Sequence, residues 1–181
     1  MRIFRSISLT AVRIRVNRSG AVLNAIETDG ADFIVHTGDV VEYSLYESYW
    51  YNMLDKNFTT LCRMPVMAIS GNHETLYRSG SNETFKHFNY KIPAQVSTSL
   101  GFYYSFVYGN AKFIMLNTVQ TGDQALSAEQ LNWLKGELSQ NYRWKIVAMH
   151  VPVYSVGKWG SEPGKNTQSN SLKAQLAKLF A

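Results

Sequence analysis

The sequence predicts a layered α/β domain (α+β in its layering), with strands and helices alternating along the chain. Three observations carry that expectation. Short β-branched and aromatic runs alternate with segments whose apolar residues recur at helical spacing. Three of these runs end in polar or glycine-containing turns, at Thr37-Gly38-Asp39, at Ser70-Gly71-Asn72-His73-Glu74 and at His150. Two further runs are joined by Gly109-Asn110, residues that tolerate the positive φ of a hairpin turn.

Taken in order, Val22, Leu23 and Ile26 predict a short helix over Gly20–Thr28. Phe33-Ile34-Val35 reads as a buried strand. Residues 44–58 read as a helix, with Leu45, Tyr49 and Met53 on one face and Trp50, Leu54 and Phe58 on the adjoining one. Pro65 opens a second strand, Val66–Ile69, and a polar, turn-rich stretch fills residues 75–100. The hairpin strands are Tyr103–Tyr108 and Lys112–Asn117. Ser127-Ala128-Glu129-Gln130 has the form of a capping box, in which the Ser oxygen and the Gln side chain satisfy free N–H groups at a helix start. Leu131, Leu134 and Leu138 then make one apolar stripe. Trp144–Met149 is a strand ending at His150, residues 155–170 are a Gly-, Ser- and Asn-rich loop, and Ser171–Phe180 is a final helix with Leu172, Leu176 and Leu179 in register.

A chain of 181 residues with 45% hydrophobic and 17% charged residues fits one domain with a real core and excludes intrinsic disorder. No apolar run approaches the roughly 20 residues of a membrane-spanning helix. Cys62 is the single cysteine, which excludes an intramolecular disulfide scaffold and a cysteine-rich zinc site. The formal charge is +5, and the excess equals Arg2, Arg5, Arg13, Arg15 and Arg18. Residues 1–18 are therefore set apart as an atypical basic leader, strand-like or irregular, and 19–181 as the domain. The apolar stretch Ile7–Val12 is too short and too interrupted for a signal peptide. The remainder is nearly neutral, which argues against a nucleic-acid footprint spread over the folded surface.

Asp39, Asn72, His73 and His150 all follow strand C-termini, where sites form in α/β sheets. A carboxylate, an amide oxygen and an imidazole are usable metal ligands, and an oxygen-plus-nitrogen set suits Mn, Fe or Zn better than calcium. Gly38 and Gly71 let each turn face a shared crevice.

The segments Phe33–Glu42 (FIVHTGDVVE), Ile69–Glu74 (ISGNHE) and Val147–Tyr154 (VAMHVPVY) resemble the calcineurin-like metallophosphoesterases. Tyr104–Asn117, Gln130–Leu134 and the Trp144 strand are similar to the purple-acid-phosphatase-like branch. The resemblance covers about residues 20–180. It implies a β-sandwich flanked by helices, and a two-metal site that hydrolyses a phosphorylated small molecule or other phosphoester. By resemblance, Asp39 bridges the metals, Asn72 and His150 bind the second, and His73 acts on the leaving group without binding metal.

The sequence departs from the family at three places. The family's first strand carries an Asp-x-His motif, whereas residues 1–18 contain no Asp, Glu or His. A late Gly-His-x-His motif would follow one strand after the helix at 171–180, and the sequence ends at Ala181. The resemblance thus implies an incomplete, partial metallophosphoesterase domain, weakly active or inactive alone. The metal-binding tyrosine of purple acid phosphatases is replaced by Glu42, which removes the Fe(III)–tyrosinate chromophore. In other branches an acid here orients the catalytic histidine; Glu42 either does so for His73 or is a turn carboxylate in solvent.

His36 is expected to be a packed strand residue and His87 structural. Tyr77, Arg78 and Trp159 lie in loops after motif positions; they are either ordinary loop residues, the commoner case, or contacts for a substrate. Two other readings stand beside the enzyme: a non-catalytic domain on the same fold, and a phosphate- or nucleic-acid-binding module. Oligomeric state is left open. Compartment is open too, and an extracytoplasmic parent is compatible with the sequence.

Overall fold

The structure is a computed structural model that describes residues 8–10, 16–75, 86–88, 90, 103–119, 126–154 and 167–180. Two three-stranded sheets carry the fold. The first has the order β1 (Ser8–Thr10), β2 (Ile34–His36), β3 (Val66–Ala68), all parallel. The second has the order β4 (Tyr104–Tyr108), β5 (Ala111–Met115), β6 (Trp144–Ala148); β4 runs antiparallel to β5, and β6 parallel to it. The helices are α1 (Val16–Thr28), α2 (Glu47–Lys56), α3 (Phe58–Leu61), α4 (Asn72–Thr75), α5 (Ala128–Ser139) and α6 (Thr167–Leu176). None of the described helices is long and apolar enough to cross a membrane.

The layers follow from which faces are apolar. Phe33, Val35 and Ile69 of the first sheet pack on Tyr103, Tyr104, Phe113, Met115 and Ala148 of the second, so the sheets face each other. Phe33 meets Phe106 and Phe113 edge-on, at centroid distances of 5.5 and 5.3 Å. The Tyr104 hydroxyl donates to the Ala68 carbonyl across the gap, at 2.9 Å. Outside the first sheet, Leu23 and Ile26 of α1 cover Ile34, while Trp50 and Met53 of α2 cover Val40, Val41 and Ala68. Outside the second, Ile114 and Leu116 are covered by Leu134 of α5 and by Leu172 and Leu176 of α6. This is the sandwich flanked by helices that the motifs imply.

Several boundaries differ from the sequence reading. Ser8–Thr10, in the segment expected to be strand-like or irregular, pairs with Ile34–His36, and α1 begins at Val16 rather than Gly20. That pairing uses main-chain groups, to which a reading of side-chain charge is blind. The expected helix over 44–58 is divided at Asn57, whose amide turns back to the Met53 carbonyl at 2.7 Å. The last helix starts at Thr167 rather than Ser171, within the stretch read as loop. The capping box is half formed: Ser127 Oγ accepts the Gln130 N–H at 3.1 Å, but the Gln130 side chain serves another element. Its oxygen accepts from Asn117 N–H and its nitrogen donates to the Asn117 carbonyl, both at 2.9 Å. It thereby satisfies the backbone where β5 runs out toward the site.

The exposed side of β3 has a similar solution. The Tyr90 hydroxyl accepts from Ala68 N–H and donates to the Val66 carbonyl, both at 2.7 Å, so one phenol covers two edge groups. His36 lies in β2, 3% exposed, and neither ring nitrogen has a hydrogen-bond partner among the described residues. Burial pushes its pKa down to about 4; the Asp39 carboxylate opposes that and His150 adds to it. It is the packed strand residue that the sequence suggested.

The sign of the resulting pH dependence is fixed. Between pH 6.5 and about 4 the unfolded chain binds a proton at His36 that the folded chain refuses. Stability therefore falls as pH falls through that window, by roughly 1.4 kcal/mol per unit for one proton. His36→Leu should lose this contribution, so that urea midpoints measured from pH 7 to 4 decline less in the variant than in the parent. Equal declines would show that His36 is not neutral in the fold.

Candidate metal centre

Three chain segments meet at the sheet ends. Asp39 follows β2, Asn72 and His73 follow β3 and open α4, and His150 follows β6 of the other sheet. Because β2 and β3 are parallel, their C-terminal turns lie at the same edge. The turns approach more closely than side chains would permit. A Cβ on Gly38 would lie 2.7 Å from Gly71 Cα and from His150 Nδ1, and one on Gly71 would land on the Asp39 carboxylate and main-chain nitrogen. Gly38 also has φ of 92°, and Asp39 itself sits at φ of 56°, a left-handed conformation that costs a non-glycine residue energy.

Glu74 holds that conformation in place. Its carboxylate is fully buried and accepts three main-chain N–H groups: Asp39 at 2.8 Å, Gly71 at 2.7 Å and Val41 at 3.1 Å. The Glu74 carbonyl accepts the Ser44 hydroxyl at 3.0 Å. Burial pushes its carboxyl up to about 7; the Val41 and Gly71 bonds pull against that, and nearby Asp39 adds to it. All three neighbours are N–H donors, so the ionised form satisfies them and a protonated form would leave its own hydrogen facing donors. In the sequence Glu74 closes the segment Ile69–Glu74, and residue type alone assigns it no role. The available signal was an acid placed in the first turn after a buried strand, where no solvent exposure is expected.

The imidazoles are oriented by carbonyls. His150 Nδ1 lies 2.8 Å from the Thr37 carbonyl, an acceptor only, so Nδ1 carries the hydrogen and Nε2 carries the lone pair in the neutral ring. Nε2 is 3.0 Å from Asn72 Oδ1 and 3.5 Å from Asp39 Oδ1. Three lone-pair donors from three segments thus face one point, an arrangement that a cation at Nε2 would satisfy. This donor set fits a metal ion of the Mn, Fe or Zn type. Among the described residues no three His, Cys, Asp or Glu side chains cluster in this way, because the third donor is an amide.

His73 is held differently. Its Nδ1 lies 2.7 Å from the Glu42 main-chain carbonyl, and its own N–H donates to Asp39 Oδ1 at 3.1 Å. Nε2 is left directed at the site, 3.9 Å from Asp39 Oδ2. The Glu42 main-chain carbonyl is thus an orienting contact for the His73 ring. Tyr43 packs edge-on against Tyr46 and Tyr49. His87 stacks on Trp50 at 4.2 Å in the α2 layer, with Nε2 3.6 Å from Glu47. Tyr77, Arg78 and Trp159 lie outside the described residues.

Glu74→Gln tests this arrangement. The amide keeps the size but presents two hydrogens to a nest of three donors. The expected cost is about 2 kcal/mol or more of unfolding free energy, read from urea denaturation. A neutral outcome would mean that the three N–H groups find other acceptors.

The sequence pattern of the family described as calcineurin-like phosphoesterase matches residues 15–176. The chain is 28% identical over 139 residues to purple acid phosphatase 13 of Arabidopsis thaliana, a match covering 73% of this chain and 24% of that protein. In fold it is similar to the purple acid phosphatase PPD1 from yellow lupin (Lupinus luteus) seeds, with a TM-score of 0.60 and 23% identity, over 77% of this chain and 26% of that one. The chain therefore spans about a quarter of the length of each of these relatives. By sequence pattern over most of its length and by the architecture of its two sheets, the chain belongs to the calcineurin-like phosphoesterase family, with purple acid phosphatases among its relatives.

Proposed function

We propose that this domain hydrolyses phosphoesters with the help of metal ions, and that Asp39, Asn72 and His150 hold a cation. The observation that carries the reading is the meeting of three lone-pair donors at His150 Nε2. Asp39 also supplies a second carboxylate oxygen, Oδ2, on the His73 side, which suits the bridging role implied by the family's paired metals. When bound, such metals polarise water and offset the charge of the phosphate oxygens.

The chain's own residues do the rest. The Thr37 carbonyl fixes the tautomer of His150, so that Nε2 offers its lone pair. The Glu42 carbonyl and the Asp39 carboxylate fix the ring and backbone of His73. The oxygen of water bonds to phosphorus and one of its protons leaves to solvent, the ester P–O bond breaks, the proton held at His73 Nε2 passes to the departing oxygen, and His73 takes a proton back from solvent. Such proton transfer is worth most for a poorly leaving alkoxide and least for an activated phenolate.

Calorimetric titration of the purified chain with Zn²⁺ or Mn²⁺ separates these roles. Asp39→Asn and His150→Ala should abolish or greatly weaken the binding. His73→Ala should retain it while slowing alkyl phosphate hydrolysis by roughly 10²–10⁴-fold, with a smaller loss on p-nitrophenyl phosphate. Loss of metal in His73→Ala, or equal losses on both esters, would contradict the assignment.

A further inference from the structure

The loop that anchors His73 continues directly into a cluster of aromatic rings. Tyr43, Tyr46 and Tyr49 pack against one another at centroid distances of 6.2, 5.5 and 6.3 Å. Tyr43 is 37% exposed and Tyr46 60%, so much of this aromatic surface faces solvent. Among the described residues no hydrogen bond uses any of the three hydroxyls.

The cluster is held in place from beneath. Ser44 donates to the Glu74 carbonyl, and the buried Trp50 indole donates to the Ser44 carbonyl at 2.8 Å. Main-chain bonds from Tyr46 to Tyr43 (3.2 Å) and from Tyr49 to Tyr46 (2.9 Å) close the turn. No glycine or proline occurs between Asp39 and Met64. A ligand landing here meets rings that are already ordered, which lowers the entropy cost of stacking.

We propose that Tyr43, Tyr46 and Tyr49 form the platform for an aromatic leaving group, an aryl or nucleobase-bearing alcohol, of the phosphoester. The inference rests on the phosphoesterase reading above and names the substrate class for it. Two observations give its direction. The Glu42 carbonyl that fixes His73, the residue assigned to the leaving oxygen, is one residue before Tyr43, so the platform adjoins the leaving-group side of the site. The segment from Val40 to Asp55 contains no lysine or arginine, so it offers no cationic side chain to a phosphate and suits the uncharged part of the substrate. Flat rings rimmed by free hydroxyls favour a polar aromatic group over a purely aliphatic one.

The test uses phosphonates, whose P–C bond is not hydrolysed, titrated into the full chain with and without Zn²⁺. Phenylphosphonate should bind roughly tenfold more tightly than methylphosphonate, and more tightly than cyclohexylphosphonate of similar size. Tyr43→Ala/Tyr46→Ala should erase the preference and leave methylphosphonate affinity unchanged, and Tyr46→Phe should keep it. Equal affinity for the phenyl and cyclohexyl compounds, a preference surviving the double variant, or no measurable phenylphosphonate binding would each overturn the platform. The metal reading is scored separately. Zinc should strengthen all three phosphonates alike and fail to do so in Asp39→Asn; if zinc adds nothing while the phenyl preference persists, the platform stands and the metal site falls.

Discussion

One buried carboxylate fixes the geometry on which the site depends. Glu74 gathers N–H groups from Asp39, Val41 and Gly71, which belong to turns after two different strands. Without an acceptor there, three donors would be buried unpaired, and Asp39 would have little reason to keep its left-handed backbone. The glycines make the approach sterically possible, and Glu74 makes it favourable. From that crossing, Asp39 is aimed at both His73 and His150.

The rigidity comes from the layers behind. Parallel pairing of β2 with β3 sets the two turns at one edge, and the aromatic core between the sheets brings β6, and with it His150, to the same place. Polar side chains are then spent on finishing elements near the site rather than on surface pairing. Gln130 closes the end of β5, Tyr90 closes the side of β3, and carbonyls of Thr37 and Glu42 orient the imidazoles. Each replaces water for a backbone group or ring nitrogen, so each contributes by avoiding an unsatisfied group. The tyrosines after Glu42 share this anchoring through Ser44.

Much of the fold was legible in the sequence, because strand runs and helical stripes are local patterns. The hairpin at Gly109-Asn110, the stripe of Leu134 and the strands ending at His36 and Ala68 lie where periodicity puts them. The residues gathered at the site were legible for a different reason: Asp39, Asn72, His73 and His150 each follow a strand, and strand ends converge. What escaped was long-range main-chain bonding. The β1 pairing, the turn of Asn57 onto Met53, the diversion of Gln130 from its own helix to Asn117, and the three donors on Glu74 all join side chains or strands to backbone groups. A backbone N–H is the same at every position, so nothing in the residue types announces which one a side chain will find.

The central claim is that His150 Nε2, beside Asn72 Oδ1 and Asp39 Oδ1, gives its lone pair to a cation. It is tested most directly by ¹⁵N NMR of the histidine side chains in the full chain, recorded at pH 8 before and after addition of Zn²⁺. The account predicts a neutral His150 with its hydrogen on Nδ1, bonded to Thr37, and an Nε2 resonance that moves to the metal-bound range on addition of zinc while Nδ1 keeps its hydrogen. A neutral ring with the hydrogen on Nε2, indifferent to zinc, would contradict it.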